Sequence, residues 1–118
     1  MSIDVKRAYE TTATSDGCRI LVDRIWPRGI TKDDLQVDAW LKDLAPSTGL
    51  RKWFGHDPKK WDEFRKRYAK ELEQRSGALA ELIARAEADH VTLVFGAKDS
   101  EHNNAVALKQ QLQLRLRR

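Results

Sequence analysis

The chain has 118 residues, room for one domain of ordinary size and no more. Its 22 Lys and Arg against 18 Asp and Glu leave a net charge of +4, a mild basic excess rather than a nucleic-acid-binding tail. Apolar runs are only a few residues long, as in Ala105-Val106-Ala107-Leu108, far short of the ~20 residues a membrane span needs.

The opening Met1-Ser2-Ile3-Asp4-Val5-Lys6 puts charges where a signal peptide needs its apolar region. A cytoplasmic protein with no membrane partner is therefore expected. Ile3, Val5 and Tyr9 recur at roughly period two and predict a half-exposed strand over 3–9, with the phase broken at Arg7-Ala8. The turn formers of 11–17 lead into Cys18-Arg19-Ile20-Leu21-Val22-Asp23, a β-rich run suited to a sheet centre. Cys18 is the single cysteine, so no internal disulfide forms, and it reads as a small buried hydrophobe.

Pro27 disfavours helix at Trp26, and Gly29 admits backbone conformations closed to other residues. Asp23 to Gly29 thus reads as a shaped loop at a strand's carboxyl end. Thr31 is an N-cap for a helical turn over Lys32-Asp33-Asp34, whose aspartates suit the positive end of the helix dipole. Residues 37–44 fit a strand or a helix, bounded by Pro46. Ser47 caps a brief helix through Leu50, Trp53 and Phe54, closed by Gly55.

Asp57-Pro58 then gives an N-cap followed by proline at the first helical position. Trp61, Phe64, Tyr68 and Leu72 follow at helical spacing and predict a helix over 58–74. Ser76-Gly77 interrupts. Leu79, Leu82, Ile83 and Ala86 mark a further helix over 78–88, Val91 to Phe95 a buried strand, and Ala105, Leu108 and Leu112 one face of a final helix. This order predicts an α/β fold, a single domain over 1–118 with a small mostly parallel or mixed sheet flanked by helices.

Four motifs resemble one family when read in order. They are Ile20-Leu21-Val22-Asp23-Arg24-Ile25-Trp26-Pro27-Arg28-Gly29, the run Trp40-Leu41-Lys42-Asp43-Leu44-Ala45-Pro46-Ser47, the segment Trp53-Phe54-Gly55-His56-Asp57-Pro58, and Ala97-Lys98-Asp99. Together they are similar to the YeaO-like family of bacterial proteins, within a larger domain-of-unknown-function group. The resemblance covers nearly the whole chain and implies a compact α/β domain, a bacterial or archaeal cytosolic setting and no established activity. The larger group often carries Cys-His-Arg at the start of the helix after the last strand. Here the neighbourhood reads Glu101-His102-Asn103-Asn104, so only the histidine has a counterpart, which puts thiol chemistry at that point in doubt.

Ligands of open α/β sheets collect at strand carboxyl ends. Two such ends are polar here. One supplies Asp23, Arg24 and Arg28, the other Lys98, Asp99, Ser100, His102 and Asn103. If strands 18–23 and 91–96 are parallel neighbours, the two sets face one crevice, where the helix N-terminus, Lys98 and the arginines favour phosphate or carboxylate.

Each residue also has a plainer role. Arg24 and Arg28 can pair with Asp23, Asp33 or Asp34 and merely fix the loop. Asp99 and Ser100 can cap the helix. His102, placed in the first helical turn, is a candidate general base or a solvated histidine. His56 reads best as organising its turn and His90 as exposed. Trp26 either stacks on a base or packs as a lid, and Trp61 is best explained by core packing. Arg115, Arg117 and Arg118 read as a solvated helix end.

No Ser-His-Asp order, phosphate-binding glycine loop or zinc spacing occurs. Asp23 and Asp99 can hold Mg²⁺ through water, though no spacing demands a metal. The sequence leaves the identity of any cofactor open. Three functions stay open: an enzyme or former enzyme for a small phosphorylated or nucleotide-like metabolite, with His102 and Asp23 as its catalytic groups; a nucleic-acid-associated module, weakened by 18 interspersed acidic residues; or a non-catalytic interaction domain. Oligomeric state is not encoded in any pattern seen.

Overall fold

Successive side chains of a strand point to opposite faces, and this chain uses that alternation to build two unequal cores. In a computed structural model that describes residues 2–116, the strands are β1 (Ile3–Arg7), β2 (Cys18–Leu21), β3 (Ala39–Trp40) and β4 (Val91–Phe95). They form one all-parallel sheet in the order β1-β4-β2-β3. The helices are α1 (Lys32–Leu35), α2 (Thr48–Phe54), α3 (Trp61–Glu73), α4 (Ser76–Ala88) and α5 (Asn104–Leu116). The architecture is α/β.

Ile3, Ile20, Val22, Val91, Leu93 and Phe95 pack into the larger core, with the apolar stripes of α2, α3, α4 and α5. The alternate residues Leu21 and Val94 join a smaller core with Ala8 and Leu35, against which Trp26, Ile30, Val37 and Trp40 pack. β4 is buried along its whole length, which explains its unbroken apolar sequence between two neighbours. On α3, Phe64, Tyr68 and Leu72 are buried as the helical spacing predicts, each contributing about 1.5–3 kcal/mol. The Tyr68 hydroxyl donates to the Leu44 carbonyl, satisfying the polar tip inside the core; burial, then the nearby Glu71 carboxylate, push its ionisation upward.

Polar side chains on the smaller face are fully engaged. Arg19, 3% exposed, donates through Nη1 to Asp16 Oδ2 at 2.7 Å and through Nε and Nη2 to the Leu35 carbonyl at 3.1 and 2.8 Å. Lys6 Nζ lies 3.0 Å from Asp16 Oδ1, and Thr92 Oγ1 donates to the Asp16 carbonyl at 2.7 Å. This cluster joins β1, β2, β4 and the end of α1. It lets a charged residue sit at the centre of the sheet, because the polar side chains of this cluster have partners.

Local signals fix most boundaries. Thr31 and Ser47 accept from the N–H groups of Asp34 and Leu50 and cap α1 and α2, and Gly55 closes α2. Several expectations are corrected. β1 ends at Arg7 rather than Tyr9, since Glu10 accepts from the Arg7 N–H and turns the chain. Residues 37–44 resolve into the two-residue β3, held by its pairing with β2, and a single 3-10 turn at Lys42–Leu44.

Asp57 and Pro58 start a 3-10 turn, Pro58–Lys60, that runs on into α3. Ser76 and Gly77 belong to α4, the break falling at Gln74 and Arg75. His90 is half-buried, held by Ser2 Oγ at 2.5 Å and Asp4 Oδ2 at 3.1 Å. Cys18 is only partly buried and receives Arg85 Nη1 at 3.7 Å. Arg117 and Arg118 lie outside the described residues. No helix is long and apolar enough to cross a membrane among the described residues.

Candidate functional site

β2 and β4 are parallel neighbours, Ile20 opposite Leu93 and Leu21 opposite Val94. The ladder runs one bond further, Val22 N–H to the Val94 carbonyl at 3.1 Å, so Asp23 emerges beside Gly96. The carboxyl ends of β2 and β4 are therefore neighbours, as expected for parallel strands. Between them lies a crevice of about 420 Å³, within the size range of small-ligand pockets.

Asp23 lines it. Its Oδ2 accepts from the Gly96 N–H at 2.9 Å and its Oδ1 from Asn104 Nδ2 at 3.0 Å. A Cβ at Gly96 would stand 3.2 Å from Oδ2, so a side chain there would press the carboxylate back by a few tenths of an ångström. Burial pushes the Asp23 carboxyl above its ordinary value of 3.8, opposed by the Asn104 and Gly96 hydrogen bonds and by the Arg51 charge. A carboxyl in this setting gains a proton more readily than an exposed one.

Three guanidinium groups line the same crevice, those of Arg24, Arg28 and Arg51. None has a carboxylate within ion-pair distance among the described residues. Arg24 grips the chain instead, Nε donating to the Pro46 carbonyl and Nη2 to the Ala45 carbonyl, each at 3.3 Å. The Arg28 side chain is exposed, while its carbonyl accepts from the Tyr9 hydroxyl at 2.9 Å. The loop-fixing pairs with Asp23, Asp33 or Asp34 do not form.

Trp26 lines the crevice but is fixed as a lid. Its Nε1 donates to the Ile30 carbonyl at 2.7 Å, and its ring meets Trp40 edge-on at 5.4 Å. Trp40 in turn donates to the Asp23 carbonyl at 2.7 Å. Trp26 is thus packed against Trp40 and the smaller core while still lining the crevice.

The second strand end is built differently from the expectation. His102 precedes α5 instead of lying in its first turn. Asn103 is the cap, its Oδ1 accepting from the Val106 N–H at 2.9 Å. Asp99 organises the preceding bend, its Oδ1 accepting from the Glu101 and His102 N–H groups and its Oδ2 meeting His102 Nδ1 at 3.0 Å. Those backbone donors, then the ring, hold the Asp99 carboxyl below its ordinary value. The His102 ring stands edge-on to Trp61 at 5.3 Å, so its orientation is fixed from two sides.

His102 and Asn103 line the crevice with Asp23, Arg24, Trp26 and Arg28; Lys98, Asp99 and Ser100 do not. Asp23 and Asp99 are held by separate partners, and no group of three potential metal ligands gathers among the described residues. Sequence reasoning missed Arg51, Asn104 and Tyr9. Asn104 carried the only available signal, as a polar residue at the start of the helix after the last strand. His56 also lines the crevice, with a left-handed backbone (φ 58) and no side-chain bond among the described residues, so the turn-organising reading finds no such bond.

The model of the family described as "Inactive DUF488-N3 subclade" matches residues 2–118. The uncharacterized protein Rv3073c of Mycobacterium tuberculosis is 46% identical over 110 residues, covering 93% of this chain and 92% of its own. The uncharacterized protein YeaO of Escherichia coli is 43% identical over 112 residues, covering 95% and 97%. No solved structure gives a significant match. The chain therefore belongs to the inactive DUF488-N3 subclade, in keeping with the YeaO-like motifs of its sequence.

Proposed function

We propose that the crevice binds a small anionic metabolite, phosphorylated or nucleotide-like, and holds it without turnover. One observation carries this reading: Arg24, Arg28 and Arg51 line a pocket whose only carboxylate among the described residues, Asp23, already accepts two hydrogen bonds. Guanidinium forks suit phosphate and carboxylate oxygens geometrically as well as electrostatically. Arg28 and Arg51 would take the anion, Arg24 would add charge from a fixed position, and Trp26 and Asn103 would wall the ligand. Lys98 and Ser100 have no part in it. The family's description as inactive, and the absence of a thiol beside His102, favour binding over chemistry. The cytosolic setting implied by the sequence resemblance fits a metabolite of this kind.

Thermal unfolding against inorganic phosphate, pyrophosphate and nucleoside mono-, di- and triphosphates tests the proposal. A ligand present at about 100 times its Kd adds about 2.7 kcal/mol, which raises the midpoint by about 10 °C in a domain of this size. The rise disappears in Arg24→Ala/Arg28→Ala. Unchanged midpoints across the panel would count against the reading.

A catalytic reading has one observation in its favour, the Asp99–His102 pair at 3.0 Å. Such a pair orients an imidazole for general-base work, with Asp23 across the crevice as a proton donor. It predicts product formation from one of the same phosphoesters, lost in His102→Gln and Asp23→Asn.

A further inference from the structure

Residues 51–70 hold eight lysines and arginines against three carboxylates, while the rest of the chain holds 14 basic and 15 acidic residues. The whole positive excess thus resides in α2, the turn after it and most of α3. The three carboxylates are engaged locally: Asp57 caps the Pro58 turn, Asp62 pairs with Arg65, and Glu63 lies 3.9 Å from Arg67. Arg51, Lys52 and Lys60 have no ion pair among the described residues. Two of these basic residues meet at one aromatic ring. Arg67 of α3 stacks over Trp53 of α2 at 4.0 Å, and Lys60 stands 5.1 Å from the same ring while donating to the Trp53 carbonyl at 2.9 Å. Trp53 packs against the large core without being fully covered.

We propose that this face of α2 and α3 binds single-stranded nucleic acid, its backbone running along Lys52 and Lys60 and a base stacking on the paired Trp53 ring and Arg67 guanidinium. Lysines and arginines supply the phosphate contacts, and an aromatic ring beside them accepts an unpaired base of any sequence. A duplex offers phosphates but no open base face, so the aromatic component selects the single strand. Arg51, which also lines the crevice, joins the two surfaces, but the strand site stands on its own observations and does not require the crevice reading.

The test is fluorescence anisotropy of labelled oligo-dT and oligo-rU of about 20 nucleotides, longer than one small domain covers, with intrinsic tryptophan emission recorded in parallel. The expected result is binding that weakens with salt at a logarithmic slope of about −1.4, as for two neutralised phosphates, together with quenching that is lost in Trp53→Phe. Lys52→Gln/Lys60→Gln/Arg67→Gln, checked for an unaltered circular dichroism spectrum, abolishes most of the slope; Lys52→Glu, at an exposed position, weakens binding without touching the Trp53 ring. No binding at low salt, equal binding of duplex without quenching, or displacement by poly-glutamate at equal charge overturns the inference. Strand binding lost in Arg24→Ala/Arg28→Ala but kept in the α2–α3 variant overturns it too, and leaves the crevice reading untouched.

Discussion

Asn104 Nδ2 lies 3.0 Å from both Asp23 Oδ1 and the Val22 carbonyl oxygen, so the first residue of α5 is latched to the end of β2. Both acceptors are partly withdrawn from water, and Asn104→Ala leaves each short of a donor. The expected cost is about 1–3 kcal/mol, read as a lower unfolding midpoint. Burial already pushes the Asp23 carboxyl upward, and Asn104 is the first of the groups opposing it. The variant's Asp23 therefore titrates higher still in a carboxyl-detected NMR titration, and a carboxyl that titrates no higher would remove Asn104 from that role.

Arg24 and Arg28 separate a structural from a ligand-facing arginine. Arg24 holds the Ala45 and Pro46 carbonyls, so Arg24→Ala should cost about 1–2 kcal/mol. Arg28 is exposed, with no side-chain partner among the described residues, and Arg28→Ala should stay within about 0.5 kcal/mol. If the crevice takes an anion, Arg28→Ala still abolishes much of the ligand-induced rise in midpoint. Paired melts with and without ligand distinguish the two effects, and an Arg28→Ala protein that melts early by itself would make that arginine structural.

The Asp16 cluster predicts acid sensitivity. Burial opposes the charged form of Asp16, but the Ala13 N–H, Lys6 and Arg19 outweigh it and hold the carboxyl below 3.8. A carboxyl lowered in the folded state adds stability above its unfolded value, and that stability drains away as pH falls through the folded value. The midpoint should drop from about pH 4 downward. Asp16→Asn loses about 3 kcal/mol at neutral pH, because Arg19 keeps its charge in a buried site, and its acid limb is shallower than the parent's. Parallel limbs in the two proteins would show that another group controls acid unfolding.

Sequence alone revealed those parts of the fold whose information is local. α3 was legible because its apolar residues recur at helical spacing, and β4 because a strand between two neighbours is apolar throughout. β3 was not, since two residues carry no period and Ala39–Trp40 is a strand only through its pairing with β2. Gly77 suggested a break because glycine weakens helix interiors, yet it falls in the first turn of α4.

The site divides in the same way. Asp23, Arg24 and Arg28 sit next to a recognisable strand end and were found. Arg51 reaches the crevice through the packing of α2 on α3, a relation between helices that neither sequence encodes separately. His102 was found but placed inside the helix it precedes, because Asn103 and Asp99 compete as cap residues and the Val106 N–H shows which one starts the helix.

Gly17 tests the junction between the β1–β2 loop and β4. It has φ 63 and ψ −132, and a Cβ there would stand 2.3 Å from the His90 carbonyl oxygen, which is backbone and cannot swing aside. That carbonyl already accepts from the Cys18 N–H at 2.8 Å, so the strand entrance must shift to admit a methyl group. Backbone strain and overpacking together put Gly17→Ala at about 3 kcal/mol or more. Gly29 has φ 76 with open space around its Cβ position, and Gly29→Ala should cost only the conformational part, about 1–2 kcal/mol. Urea unfolding of the two variants side by side measures the difference. Equal losses would mean that the His90 carbonyl yields to the methyl group and that contact at this junction costs nothing beyond the backbone conformation.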